Sequence, residues 1–189
     1  GNLVAEVSCK EVVTYNAGAG KKVVLVDCGV KESIIRYLLS RGVEVTRVPW
    51  DYDFNQLEAD AVIISNGPGN PEECAATIQH IKTFLAKGEN KPLLGLDLGN
   101  LLIALAAGAK VLKHKYGHHG ATQPVQLVGG QRCYITAQNH GYVVDGTTLP
   151  AEWKEWFVNM NDQTNEGIRH TEKPWMAVQF IPEMNCGPV

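Results

Sequence analysis

The sequence predicts an α/β fold: an open, mostly parallel sheet with helices on both faces, plus a smaller antiparallel strand region in the second half. Three observations predict it. Val23-Val24-Leu25-Val26-Asp27, Ala61-Val62-Ile63-Ile64-Ser65 and Pro92-Leu93-Leu94-Gly95-Leu96 are short continuous apolar runs, as expected of strands covered on both sides. The stretches between them carry helical spacing. The third run turns at Asp97 into Leu98-Gly99-Asn100 and the apolar helix former Leu101–Ala107.

In chain order, Leu3 to Tyr15 alternates weakly and reads as a linker or an edge segment, and Asn16–Gly20 as a loop. After the first strand, Glu32–Arg41 has apolar residues at 34, 35, 38 and 39, one face of a helix. Gly42 is placed to cap it. Val43–Val48 is the second strand and 61–65 the third. The loop Asn66-Gly67-Pro68-Gly69-Asn70-Pro71 leads to a helix over Glu72–Lys87, with its acidic residues in the first turn, where they suit the dipole. Past Lys110 the pattern changes. Val111–Val128 reads as polar and loop-like at first, Gly129-Gly130 as a hairpin turn, and Gln131–Thr136 as a strand. Gln138–Tyr142 is a polar cluster followed by Val143-Val144. Trp153–Met160, Glu166–His170 and Met176–Phe180 are three further strand candidates.

The centre of the chain is the turn at 97. Gly95 and Gly99 flank it as in a nucleophile elbow, G-x-Nuc-x-G, where two glycines let strand and helix approach closely and the corner residue is presented at the carboxyl end of the sheet. Amides at the start of the helix face the same spot and stabilise negative charge there. The corner holds a carboxylate instead of Cys or Ser.

Composition excludes some classes. A formal net charge of -3 and a pI near 6.1 give no electrostatic case for nucleic acid or an anionic membrane. No apolar run reaches the ~18 residues of a membrane span, and the amino terminus lacks a signal-peptide pattern. Five cysteines, at 9, 28, 74, 133 and 186, are scattered without a CxxC pair, which favours reduced thiols in an intracellular compartment and packing roles for each. His118, His119 and His140 lack metal-ligand spacing, so no metal site is expected. Trp153, Trp156 and Trp175 read as packing residues.

Three stretches together resemble one family. The loop at 66–71, the elbow GLDLGN and Val178-Gln179-Phe180-Ile181-Pro182-Glu183 are similar to the oxyanion loop, the elbow and the late strand ending in HPE of class I, triad-type glutamine amidotransferases, whose sheet is flavodoxin-like. The segments VDCGVKESIIRYLLSRG, AAGAKVLKHKYGHHGATQPV, AQNHGYVVD and NDQTNEGI resemble one branch, the glutaminase small-subunit region of carbamoyl phosphate synthetase. The resemblance implies a connector from a preceding domain over 1–20 and an amidotransferase-like domain over 21–189, expected to be truncated at its C-terminus.

The resemblance also assigns roles. The nucleophile position is Asp97 where the family has Cys, the base position is Ile181 where it has His, and the third triad position is Glu183. Substrate contacts are implied at Gly67, Gly69, Leu98, Leu101, Asn139, Gly141 and Tyr142, with Leu101 standing where a Gln is common. Without nucleophile and base, glutamine hydrolysis is expected to be lost, which leaves a structural and regulatory partner for the synthetase domains or large subunit, with weak glutamine binding at most. No cofactor is expected in this domain, since ATP and Mg belong to the synthetase partner. Asn100 and Leu101 resemble the ammonia-dependent synthetase of the urea cycle, although that form generally keeps the HPE histidine. The implied location is cytoplasmic, or the mitochondrial matrix for a urea-cycle form; arginine and pyrimidine pathways also stay open. Two alternatives remain: a glutamine-hydrolysing form in which 97 and 181 have been altered, and a glutamine-binding module without turnover.

Overall fold

The computed structural model describes residues 1–130 and 132–182, with side chains described outside 115–122 and 135–140. Among the described residues, ten strands form one continuous sheet. They are β1 (Val13–Tyr15), β2 (Lys22–Asp27), β3 (Glu44–Pro49), β4 (Ala61–Ile64), β5 (Leu93–Leu96), β6 (Lys110–Leu127), β7 (Cys133–Asp145), β8 (Trp153–Asn159), β9 (Asn165–His170) and β10 (Trp175–Val178). Their order is β1-β3-β2-β4-β5-β10-β9-β8-β6-β7. The run from β3 to β10 is parallel, β9 to β7 extend it antiparallel, and β1 closes the far edge antiparallel to β3. The antiparallel strands therefore continue the same sheet and do not form a separate layer.

The apolar runs bury both faces, as their composition requires. Val24, Val26, Val62, Ile64 and Leu93 lie under α3 (Ala75–Lys87) and α4 (Leu98–Ala107), while Val23, Leu25, Val45, Ile63 and Leu96 pack with Ile34 and Ile35 of α2 (Glu32–Ser40). Gly42 follows α2 at φ 72°, and Gly88 ends α3 in the left-handed region, the usual helix stop. Trp153 and Trp175 are buried and stacked, with ring centroids 6.1 Å apart.

Three local expectations need correction. The helix expected from Glu72 is broken: Pro71–Glu73 forms a 3₁₀ turn, α3 starts only at Ala75, and its own first turn has no acidic residue. Pro71 sets the tight turn, and the Asn70 side chain accepts the Glu72 amide in place of helical bonding. The start of Val111–Val128 is not loop-like, because the 18-residue β6 runs to Leu127, and the polar cluster 138–142 lies within its partner β7. Their ladder shifts register between Lys113 and His118 and again between His119 and Thr122. Such irregularities interrupt the two-residue alternation by which a strand is read from sequence. Third, Leu3–Val7 is a short helix, α1, capped by the Asn2 side chain, which accepts the Ala5 amide.

The stretch 1–20 is fastened to the sheet. Val4 is 1% exposed within the core, the Cys9 amide donates to Asp27 Oδ2, the Trp50 amide donates to Ser8 Oγ, and β1 pairs with β3.

Candidate functional site

The parallel strands end on the same side of the sheet, and the loops leaving β4 and β5 meet there. Strand β5 delivers Asp97 into the turn, where the Asp97 amide donates to the Val178 carbonyl of β10 at 2.8 Å. Asp97 adopts φ 55°, ψ -110°, a conformation that non-glycine residues rarely hold and that is typically stored at functional sites. The flanking glycines are required by space. A Cβ on Gly95 would lie 2.6 Å from Ile103 Cδ1, and one on Gly99 would collide with the Ile64 carbonyl of β4. The β4 loop is held as tightly, because a Cβ on Gly67 would collide with the Cys28 carbonyl.

Around the Asp97 carboxylate the chain gathers donors. The amides of Leu98 and Gly67 act on it, Gln179 Nε2 donates to Oδ1 at 3.3 Å, and the Lys31 charge favours the anion from the loop after β2. Desolvation by burial outweighs these and pushes the carboxyl up to about 6. Gln179 is held in turn: Asn100 Nδ2 donates to its Oε1 at 2.8 Å, and Gln179 and Asn100 are 1% and 0% exposed. Asp97 occupies the N-cap position of α4, but its side chain makes no cap hydrogen bond. It belongs to the cluster and not to an ordinary cap.

An open cleft of about 270 Å³ lies over this cluster, lined by Gly67, Gly69, Asp97, Leu98, Leu101, Gly141 and Tyr142 together with Pro68 and Asn70. Residues from three separate parts of the sequence thus meet on one wall. Ile181 is absent from that lining. Its side chain is partly buried against the apolar cluster that includes Val178 and Phe180, as an aliphatic group prefers. Asn139 lies on β7 in register with His119. Glu183 lies outside the described residues. His118 pairs in register with His140 across the β6–β7 ladder, and no group of three metal-ligating side chains occurs among the described residues. Cys28 and Cys74 are buried free thiols; burial pushes Cys74 up to about 11 and Cys28 well above its ordinary value.

The arrangement is an elbow that presents one carboxylate to a cluster of donors at the start of a helix. The family profile described as glutamine amidotransferase class-I matches residues 24–189. The chain belongs to the class I glutamine amidotransferases.

Within that family it is 50% identical, over 188 residues and 100% of its length, to the human protein named carbamoyl-phosphate synthase [ammonia], mitochondrial. It is 46% identical, again over 100% of its length, to the carbamoyl phosphate synthase arginine-specific small chain of Phaeosphaeria nodorum. The chain spans only 12% of the human relative and 40% of the fungal one. Among solved structures, a GMP synthase-type protein from Thermoplasma acidophilum superposes with a TM-score of 0.74 at 28% identity, covering 86% of this chain and 84% of that one. No helix among the described residues is long and apolar enough to cross a membrane.

Two residues of this candidate site were not singled out from sequence. Gln179 is the one polar residue in the otherwise apolar run Met176–Phe180, and that isolation in a buried run was a usable signal. Lys31 carried none, since a lysine after a turn is ordinary surface chemistry.

Proposed function

We propose that this chain is the glutaminase-like domain of a carbamoyl phosphate synthetase, that its own glutamine hydrolysis has been lost, and that it serves the synthetase as a structural and regulatory partner. The observation that carries the reading is the double replacement: Asp97 at the elbow, and Ile181 on an apolar cluster where the resemblance puts the base. Amide hydrolysis by this route needs a nucleophile, a base to activate it and an acid for the departing ammonia. A carboxylate is a poor nucleophile towards an unactivated amide, and Ile181 can move no proton. Loss of either member of such a unit costs several orders of magnitude, and loss of both little more.

Similarity to a relative named for ammonia supports free ammonia as the nitrogen source. Bicarbonate, ATP and Mg²⁺ would then act in synthetase domains outside this chain, with no cofactor needed here. A repair series tests the reading. Asp97→Cys alone provides a thiol without a base, so labelling by a glutamine-like electrophile should stay slow. Adding Ile181→His should accelerate it, and Leu101→Gln should then improve binding more than turnover. Equal labelling rates for the single and double variants would show that Ile181 does not stand at the base position.

The retained cleft favours one second reading, a glutamine-binding module without turnover. Glutamine titration separates the two, because the first expects binding weakened by Asp97 and Leu101.

A further inference from the structure

We propose that Asp97 is a built-in plug: its side chain occupies the oxygen-binding cradle formed by the Gly67 and Leu98 amides and the Gln179 carboxamide, and so excludes the carbonyl or carboxylate oxygen of a small ligand. The inference deepens the proposed function and rests on it only in naming glutamine as the ligand. The cradle itself stands on the Gln179 contact at 3.3 Å and on Gly67 and Leu98 lining the same cleft as Asp97.

Every donor is fixed without help from Asp97. The Gly67 amide is set by close packing against Cys28, and the start of α4 by the approach of Gly99 to Ile64. Gln179 is almost fully buried, and Asn100 holds its Oε1, which leaves Nε2 facing Asp97 Oδ1 at 3.3 Å. Such a cradle does not collapse when its occupant leaves, because its orientation is prepaid by the fold. An emptied cradle would leave the buried Nε2 of Gln179 and the Gly67 and Leu98 amides short of an acceptor, an unfavourable state that an incoming oxygen relieves. The Lys31 charge acts on the same point and offsets part of the burial penalty on an anionic oxygen. The cleft beyond is open, with Leu101, Gly141 and Tyr142 on its walls, so the rest of a small ligand has room once position 97 is short.

Asp97 therefore does more than lack a thiol. It competes, at very high effective concentration, for the donors a substrate oxygen would use.

The test compares the parent chain with Asp97→Gly, Asp97→Ala and Asp97→Asn, using sodium formate and L-glutamine as probes. Formate should raise the melting temperature of the Gly and Ala variants over sodium chloride at equal ionic strength, and leave the parent unmoved. L-Glutamine, titrated by calorimetry, should bind those two variants at least about tenfold more tightly than the parent, the scale of one recovered hydrogen bond. Asp97→Asn keeps a side chain in the cradle and should bind like the parent. Absence of both the formate shift and the gain in glutamine affinity would overturn the plug. So would Asp97→Asn binding glutamine as tightly as Asp97→Ala, since charge repulsion alone would then explain the effect. A formate shift without glutamine binding would uphold the plug while counting against the glutaminase-derived reading.

Discussion

Two carboxylates, the partly buried Asp97 and the fully buried Asp27, respond to pH with opposite signs. Asp97 has its folded value raised to about 6, so its contribution is least unfavourable below the ordinary carboxylate value and worsens as pH rises towards 6. The full penalty is roughly 3 kcal/mol. Asp97→Asn should remove it, raising the melting temperature at pH 7.5 and flattening the profile between pH 4 and 7. A lower melting temperature for Asp97→Asn at pH 7.5 would show that the donors outweigh burial. Asp27 is the reverse case. Burial alone would raise it, but the amides of Val30, Gly29 and Cys9 and the Arg47 guanidinium, 2.8 Å away, hold it below the ordinary range. Its stabilisation is present above the ordinary carboxylate value and is lost as pH falls through the folded one. Asp27→Asn should cost about 3 kcal/mol at pH 7 by leaving buried donors and Arg47 without their anion, measurable by urea denaturation.

At the scale of elements, the elbow is the part least able to change. Gly99→Val places a branched side chain into the Ile64 carbonyl of β4 and should destabilise by more than about 4 kcal/mol, through overpacking of strand against helix. Thermal melting checks this; a Gly99→Val protein melting within a few degrees of the parent would mean that α4 can move away from β4. The elbow was legible in sequence because its signals agree: an apolar strand, two glycines at fixed spacing and an apolar helix. Strands β6 and β7 were legible only in part. Their register shifts break alternation around Lys113 and His119, and their glycines and histidines read locally as loop. The 3₁₀ turn before α3 was hidden because Glu72 and Glu73 suit a helix start as well as a turn.

For the molecule as a whole, parallel strands covered on both faces were predictable from composition, because only a sheet flanked by two helix layers needs such continuous apolar runs. That the antiparallel strands extend the same sheet was not, since pairing of β9 with β10 joins segments whose sequences carry no mark of each other. The site was legible where it depends on backbone, at Gly67, Gly95 and Gly99, and obscure where it depends on a single buried amide, at Gln179. Whether this assembled cleft hydrolyses glutamine is tested most directly by ammonia release from L-glutamine by the purified chain, followed through repeated purification. The prediction is release at background. Release within about a hundredfold of an ordinary glutaminase, co-purifying with the chain and abolished by Asp97→Ala, would contradict it, because catalytic losses from a missing nucleophile and base are far larger than that.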